Sequence, residues 1–184
     1  MGADAGGPLT VLRHGRAAAR VLVGGVGYTN LCDLSVGPLL VRCLAAESWP
    51  EGVEVRDLGY GAVHVAHDLL AAQAAPERRP YDRAVLFGAV HRGRPPGTVT
   101  AFRWDGRLPA AEDVQLHVSE AVTGVVSLEG VLVVCAQLGA LPRDVRLVEI
   151  EPADMGWGEG CSPTVRAVLP EAIRAIHLMA RTAS

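Results

Sequence analysis

The side chains in this chain that could do chemistry are few and widely spaced. Asp33 and Asp57 each stand in a short loop after a β-branched run, where a carboxylate could contact a substrate tail or orient a partner. The structural alternatives are that Asp33 caps the helix beginning near Gly37 or bonds its own loop, and that Asp57 closes a turn at a strand end. For Asp33 the two readings stand level; for Asp57 the structural one leads. Of the six histidines, His64 and His67 are spaced so that one helical face presents both imidazoles. A scattered histidine is more often a surface or packing residue than a ligand. Cys32 adjoins Asp33 as a nucleophile, but no general base lies near it in sequence, so a buried or idle thiol is the better reading. Gly160-Cys-Ser162-Pro reads as the start of a helix, because a nucleophile elbow requires Gly-x-Ser-x-Gly. Gly25-Val-Gly27 opens a dinucleotide-type turn, yet that fingerprint needs glycine where Asn30 stands, and Asp57 lies beyond the usual spacing of the ribose-binding acid.

Alternating elements must position these residues. Short Val-rich runs predict strands at 20–26, 53–57, 84–89, 98–103 and 145–149. The first, third and last are apolar almost throughout, as strands covered on both faces require. Longer apolar patterns predict helices from Pro38 to Ala46, over 62–73, and over 127–138. Ser162 followed by Pro163 is a cap and first-turn signature for a helix over 164–180, which Pro170 should kink or restart. The order strand, helix, strand, helix, strand and then an extra strand argues a three-layer α/β/α sandwich with a mostly parallel five-stranded sheet. Its site should form at the carboxyl ends of the strands, where 28–33, 57–60 and 88–91 converge.

Composition narrows the class. A chain of 184 residues is expected to be one domain over residues 20–184, preceded by a flexible tail at 1–19 rich in Gly, Ala and Arg. The formal net charge is −3 and no long charge block occurs, which argues against a nucleic-acid or membrane surface. All 17 basic residues are arginine, a bias read as codon usage; Arg78, Arg79, Arg92 and Arg94 sit in Pro-rich loops without interleaved aromatics. The four cysteines form no Cys-x-x-Cys pair, and Cys43 and Cys135 fall in helical apolar patterns as expected buried thiols. No signal-peptide core precedes residue 19, and residues 124–141, though apolar, contain Ser127, Glu129, Gln137 and three glycines, so no membrane span is expected. A reduced, cytoplasmic protein follows.

Four blocks carry a resemblance. They are Val21-Leu-Val-Gly-Gly-Val-Gly27 with Asp33 and Gly37; Val53-Glu-Val-Arg-Asp57-Leu-Gly59; Arg83-Ala-Val-Leu-Phe-Gly88-Ala-Val with Pro95-Pro-Gly-Thr98; and Val148-Glu-Ile-Glu-Pro152 with Gly156-Trp-Gly and residues 162–172. Together they resemble the nickel-dependent hydrogenase maturation proteases, endopeptidases that trim the C-terminus of a [NiFe]-hydrogenase large subunit once its metal centre is loaded. The resemblance runs from residue 20 to about 181 and implies the same α/β/α architecture.

It also implies where the metal ligands would stand. The family's glutamate position is Leu34, its aspartate position is Gly88, and its histidine position is Gly124, or Ala121 if a short insertion is allowed; the asparagine of its first motif is Tyr28. A borderline divalent ion needs carboxylate or imidazole donors, which leucine and glycine lack. Nickel is therefore not expected here, unless His91, His117 and Glu120 form a relocated site. Three readings follow. The first is a degenerate, metal-less member that binds a hydrogenase-type large subunit, or a related metalloprotein precursor, in assembly. The second is an active endopeptidase using relocated ligands. The third is a small-molecule or nucleotide-binding α/β protein that shares only the fold.

Overall fold

The computed structural model describes residues 18–77 and 79–181. The tail expected at residues 1–19 lies, as far as residue 17, outside the described residues. Five strands, β1 (Val21–Gly25), β2 (Val53–Asp57), β3 (Arg83–Ala89), β4 (Val99–Arg103) and β5 (Asp144–Ile150), form one sheet in the order β2-β1-β3-β5-β4. The first four in that order run parallel, and β4 closes one edge antiparallel to β5.

Helices cover both faces, which is why β1 and β3 carry apolar residues without alternation. On one face α1 (Val36–Ala45) and α5 (Pro163–Ala180) set Leu40, Leu44, Val165 and Ile176 against Val23, Val85, Phe87 and Val148. On the other, α2 (Ala62–Ala74) and α4 (Leu128–Gln137) set Val65, Leu69, Val131 and Cys135 against Leu22, Leu86 and Leu147. Each fully buried Leu or Phe contributes roughly 1.5–3 kcal/mol. Among the described residues no helix is long and apolar enough to cross a membrane.

Three local details refine or correct the sequence reading. A helix, α3 (Ala111–Val122), occupies a stretch that gave no helical signal. It packs outside α4 and buries none of its residues, so no apolar stripe was required of it. Of the kink or restart expected at Pro170, the restart does not occur: α5 is one helix through that exposed residue, where water can take the carbonyl its missing N–H leaves free. Cys43 is exposed rather than buried, since Leu40 and Leu44 form the inward face of α1.

Candidate functional site

The loops after β1, β2, β3 and β5 meet at the carboxyl ends of the parallel strands, together with the α3–α4 connection. Their contacts are close. Leu58 N–H donates to the Gly25 carbonyl at 2.8 Å, Tyr28 N–H to the Leu34 carbonyl at 3.0 Å, and Val126 N–H to the Tyr28 hydroxyl at 2.7 Å. Tyr28 thus ties the first loop to the start of α4.

Asp33 is the centre of this rim. It lies in a 3-10 turn, Cys32–Ser35, and is fully buried. Its Oδ2 accepts the N–H groups of Ala153 at 2.8 Å and Asp154 at 2.9 Å and the Ser162 hydroxyl at 2.9 Å; its Oδ1 accepts the Ser162 N–H at 2.7 Å. The Ser162 hydroxyl in turn accepts Val165 N–H at 3.2 Å and caps α5. Asp33 therefore neither caps α1 nor bonds its own loop. It fastens the β5–α5 loop and the start of α5, because a buried carboxylate needs several donors and only that loop supplies them. Cys32, at φ +34, is held in a backbone region that side chains seldom adopt by its N–H bond to Gly158 and by that of Asp33 to Asp154. Burial foremost, with Asp154 and Asp33 beside it, pushes the Cys32 thiol up and away from nucleophilic use. Asp57 closes its own turn as expected, accepting Gly59 N–H at 2.8 Å.

Leu34, Gly88 and Gly124 have structural explanations of their own. Leu34 is half-buried, and its carbonyl closes the 28–34 loop. Gly88 is buried; a Cβ there would lie 2.6 Å from the Val26 carbonyl, just past β1, so the backbone after β1 approaches too closely for a side chain, while the Leu128 Cβ at 3.6 Å is in ordinary contact. Gly124, at φ +86, ends α3 as a Schellman cap: Val125 N–H reaches the Glu120 carbonyl at 2.9 Å, and Gly124 N–H reaches Ala121 at 3.3 Å. Ala121, the alternative position, is half-buried in the last turn of that helix.

The other donors do not assemble. His91 Nδ1 lies 3.0 Å from Glu151, with the imidazole 64% exposed and the carboxylate 1% exposed. His117 Nδ1 lies 3.3 Å from Glu120, in a direction that makes no hydrogen bond. His64 and His67 are exposed on α2. Among the described residues no three His, Cys, Asp or Glu side chains are grouped to hold an ion.

One assembly went unread in the sequence. Glu149 and Glu151 are buried at the end of β5 and meet two arginines of the β3–β4 connection. Arg92 reaches Glu149 at 2.7 Å and Glu129 of α4 at 2.6 Å; Arg94 reaches Glu149 at 2.9 Å and Glu151 at 3.0 Å. Glu151 also accepts the N–H groups of Arg92 and Gly93, each at 3.0 Å. Burial pushes the Glu151 carboxyl up, but the Arg92 and Gly93 amides and the Arg94 guanidinium outweigh it and hold the group below its ordinary range. Arg92 thus crosslinks a loop, a strand and a helix, and Arg92 and Arg94, expected only as products of codon usage, are structural. The available signal was a pair of glutamates spaced i, i+2 at the end of a strand expected to be buried on both faces.

No family model matches the chain. It is 29% identical over 164 residues to the hydrogenase expression/formation protein HupM of Azotobacter chroococcum mcd 1, covering 85% of this chain and 69% of that protein. In fold it is similar to an endopeptidase from Escherichia coli solved in solution, with TM-score 0.65, 25% identity, and 87% of this chain and 91% of the other covered. It is likewise similar to the hydrogenase maturating endopeptidase HybD from E. coli, with TM-score 0.62, 25% identity, and coverages of 85% and 89%. Sequence and fold both support a hydrogenase-maturation-protease-like chain.

Proposed function

We propose that this chain is a metal-free relative of the hydrogenase maturation proteases, one that binds a hydrogenase-type large subunit during assembly without cutting it. The observation that carries the reading is Gly88. At the position the resemblance gives to a ligating aspartate there is no side chain, and a Cβ would stand 2.6 Å from the Val26 carbonyl, which leaves no room for one. Leu34 and Gly124 add no donor atoms. The buried carboxylates at this end of the sheet are already engaged, Glu149 and Glu151 by Arg92 and Arg94 and Asp33 by backbone amides and Ser162. Docking does not depend on those positions, because a large protein contact is spread over many loops of the rim.

Two measurements on the purified protein test this. After incubation with nickel and desalting, elemental analysis should find no stoichiometric metal. One equivalent, lost in His91→Ala or His117→Ala, would instead overturn the metal-free reading in favour of a relocated metal site. Mixed with the large-subunit precursor of its own organism, the protein should co-elute with it and leave its intact mass unchanged. Loss of a C-terminal fragment would overturn the non-cutting role, and absence of a complex would overturn the docking role.

A further inference from the structure

The rim presents an aromatic anchor among acids. Trp157 is 86% exposed, although the loop that bears it is fixed on both sides. Asp33 holds Ala153, Asp154 and Ser162, and backbone hydrogen bonds join Gly158 to Asn30 and Cys32. A large aromatic on a fixed backbone loses little conformational freedom on docking, which is the economy that makes tryptophan a frequent binding hot spot. Met155 in the same loop is exposed as well, and so are Val122 and Val125 at the α3–α4 connection.

The loops at this end of the molecule carry more acids than bases. Residues 26–35, 57–61, 119–127 and 151–162 contain no Arg, Lys or His. They contribute Asp57, Asp154 and Glu159 at exposed positions and Glu120 at a half-exposed one. Of the basic side chains at the rim, Arg92 and Arg94 are engaged by Glu129, Glu149 and Glu151, His91 lies 3.0 Å from Glu151, and Arg166 donates to the Cys161 carbonyl at 3.1 Å. The partial positive charges at the starts of α4 and α5 are met by Glu129 and Asp33.

We infer that this surface docks a partner segment in which a large apolar side chain packs on Trp157 and a basic side chain lies beside Asp154 and Glu159. Charge complementarity selects the basic residue, and burial of the tryptophan supplies most of the affinity. Assigning that segment to a hydrogenase-type large subunit rests on the function proposed above; the chemistry of the segment does not.

The test uses two fluorescein-labelled heptapeptides, Gly-Leu-Arg-Val-Leu-Arg-Gly and the same sequence with both arginines replaced by glutamate, followed by anisotropy. The arginine peptide should bind about tenfold or more tightly than the glutamate peptide, and Trp157→Ala should remove about tenfold of its affinity. Glu159→Arg, or salt at about 0.5 M, should erase the preference. Both substituted side chains are exposed, so far-UV circular dichroism and melting should match the unmodified protein. Equal binding of the two peptides, or an unchanged Trp157→Ala, overturns the inference. The large-subunit experiment separates the two proposals. Capture by the unmodified protein and by Trp157→Ala alike would sink this surface and leave the docking role standing. No capture, with the peptide preference intact, would do the reverse.

Discussion

Asp33 and Ser162, 129 residues apart in the chain, are joined twice: the serine N–H donates to Oδ1 at 2.7 Å, and its hydroxyl to Oδ2 at 2.9 Å. This one carboxylate sets the start of α5 against the loop that follows β1, and it holds the loop bearing Trp157.

Removing that carboxylate should therefore be costly. Asp33→Ala removes the acceptor shared by Ala153, Asp154 and Ser162 and is expected to destabilise the protein by about 1–3 kcal/mol. Asp33→Asn keeps one carbonyl oxygen and should cost less. Urea denaturation midpoints decide it, and a loss below about 1 kcal/mol for Asp33→Ala would show that the network is not structural.

Tyr28→Phe deletes the acceptor for Val126 N–H while keeping the ring. The expected loss is about 1 kcal/mol. Hydrogen exchange should quicken at the 123–127 connection more than in β1 or β3. Unchanged protection at Val126 would mean the tyrosine does not hold α4 to the first loop.

Acid should act through Glu151. Its folded value lies below the ordinary 4.5, so its contribution to stability is fully present above about 4.5 and is lost as pH falls through the folded value. The melting-temperature gap between the unmodified protein and Glu151→Gln should be largest near neutrality and shrink in acid. A gap that stays constant down to roughly pH 3 would remove Glu151 from the acid response.

Restoring donors tests the alignment behind the metal-free reading. The combined change Leu34→Glu, Gly88→Asp and Gly124→His should be destabilising without metal. Overpacking against Val26 costs about 1–3 kcal/mol, and a side chain at the left-handed Gly124 costs about 1–2 kcal/mol more. Added nickel or zinc should recover part of that loss, since an ion that binds only the folded state stabilises it. Melts of the triple variant and the unmodified protein that respond alike to metal would mean these positions are not the old ligand set.

Thiol labelling should follow burial. Burial pushes the Cys135 thiol up to about 12 and, as the main cause, Cys161 to about 11, whereas Cys43 is exposed. Iodoacetamide near neutral pH should modify Cys43 first and leave Cys135 intact until the protein unfolds. Peptide mass spectrometry reads the order, and equal rates at Cys43 and Cys135 would contradict the packing of α4.

The five strands, four of the five helices and the α/β/α layering were legible in the sequence. Strands buried on both faces write themselves as unbroken Val-rich runs, and Ser162-Pro163 announces α5 through capping chemistry that is local. The same holds for Asp57, whose partner Gly59 is two residues away. What only the tertiary structure decided are the interactions between residues distant in sequence. Asp33 acts on residues about 120 and 129 positions away; Arg92 binds Glu149 across 57; α3 is held by α4 rather than by the sheet. Periodicity and propensity act over a few residues, so they cannot report which distant donor satisfies a buried charge. That is settled only when the sheet order brings the strand ends together and every buried polar group must find a partner.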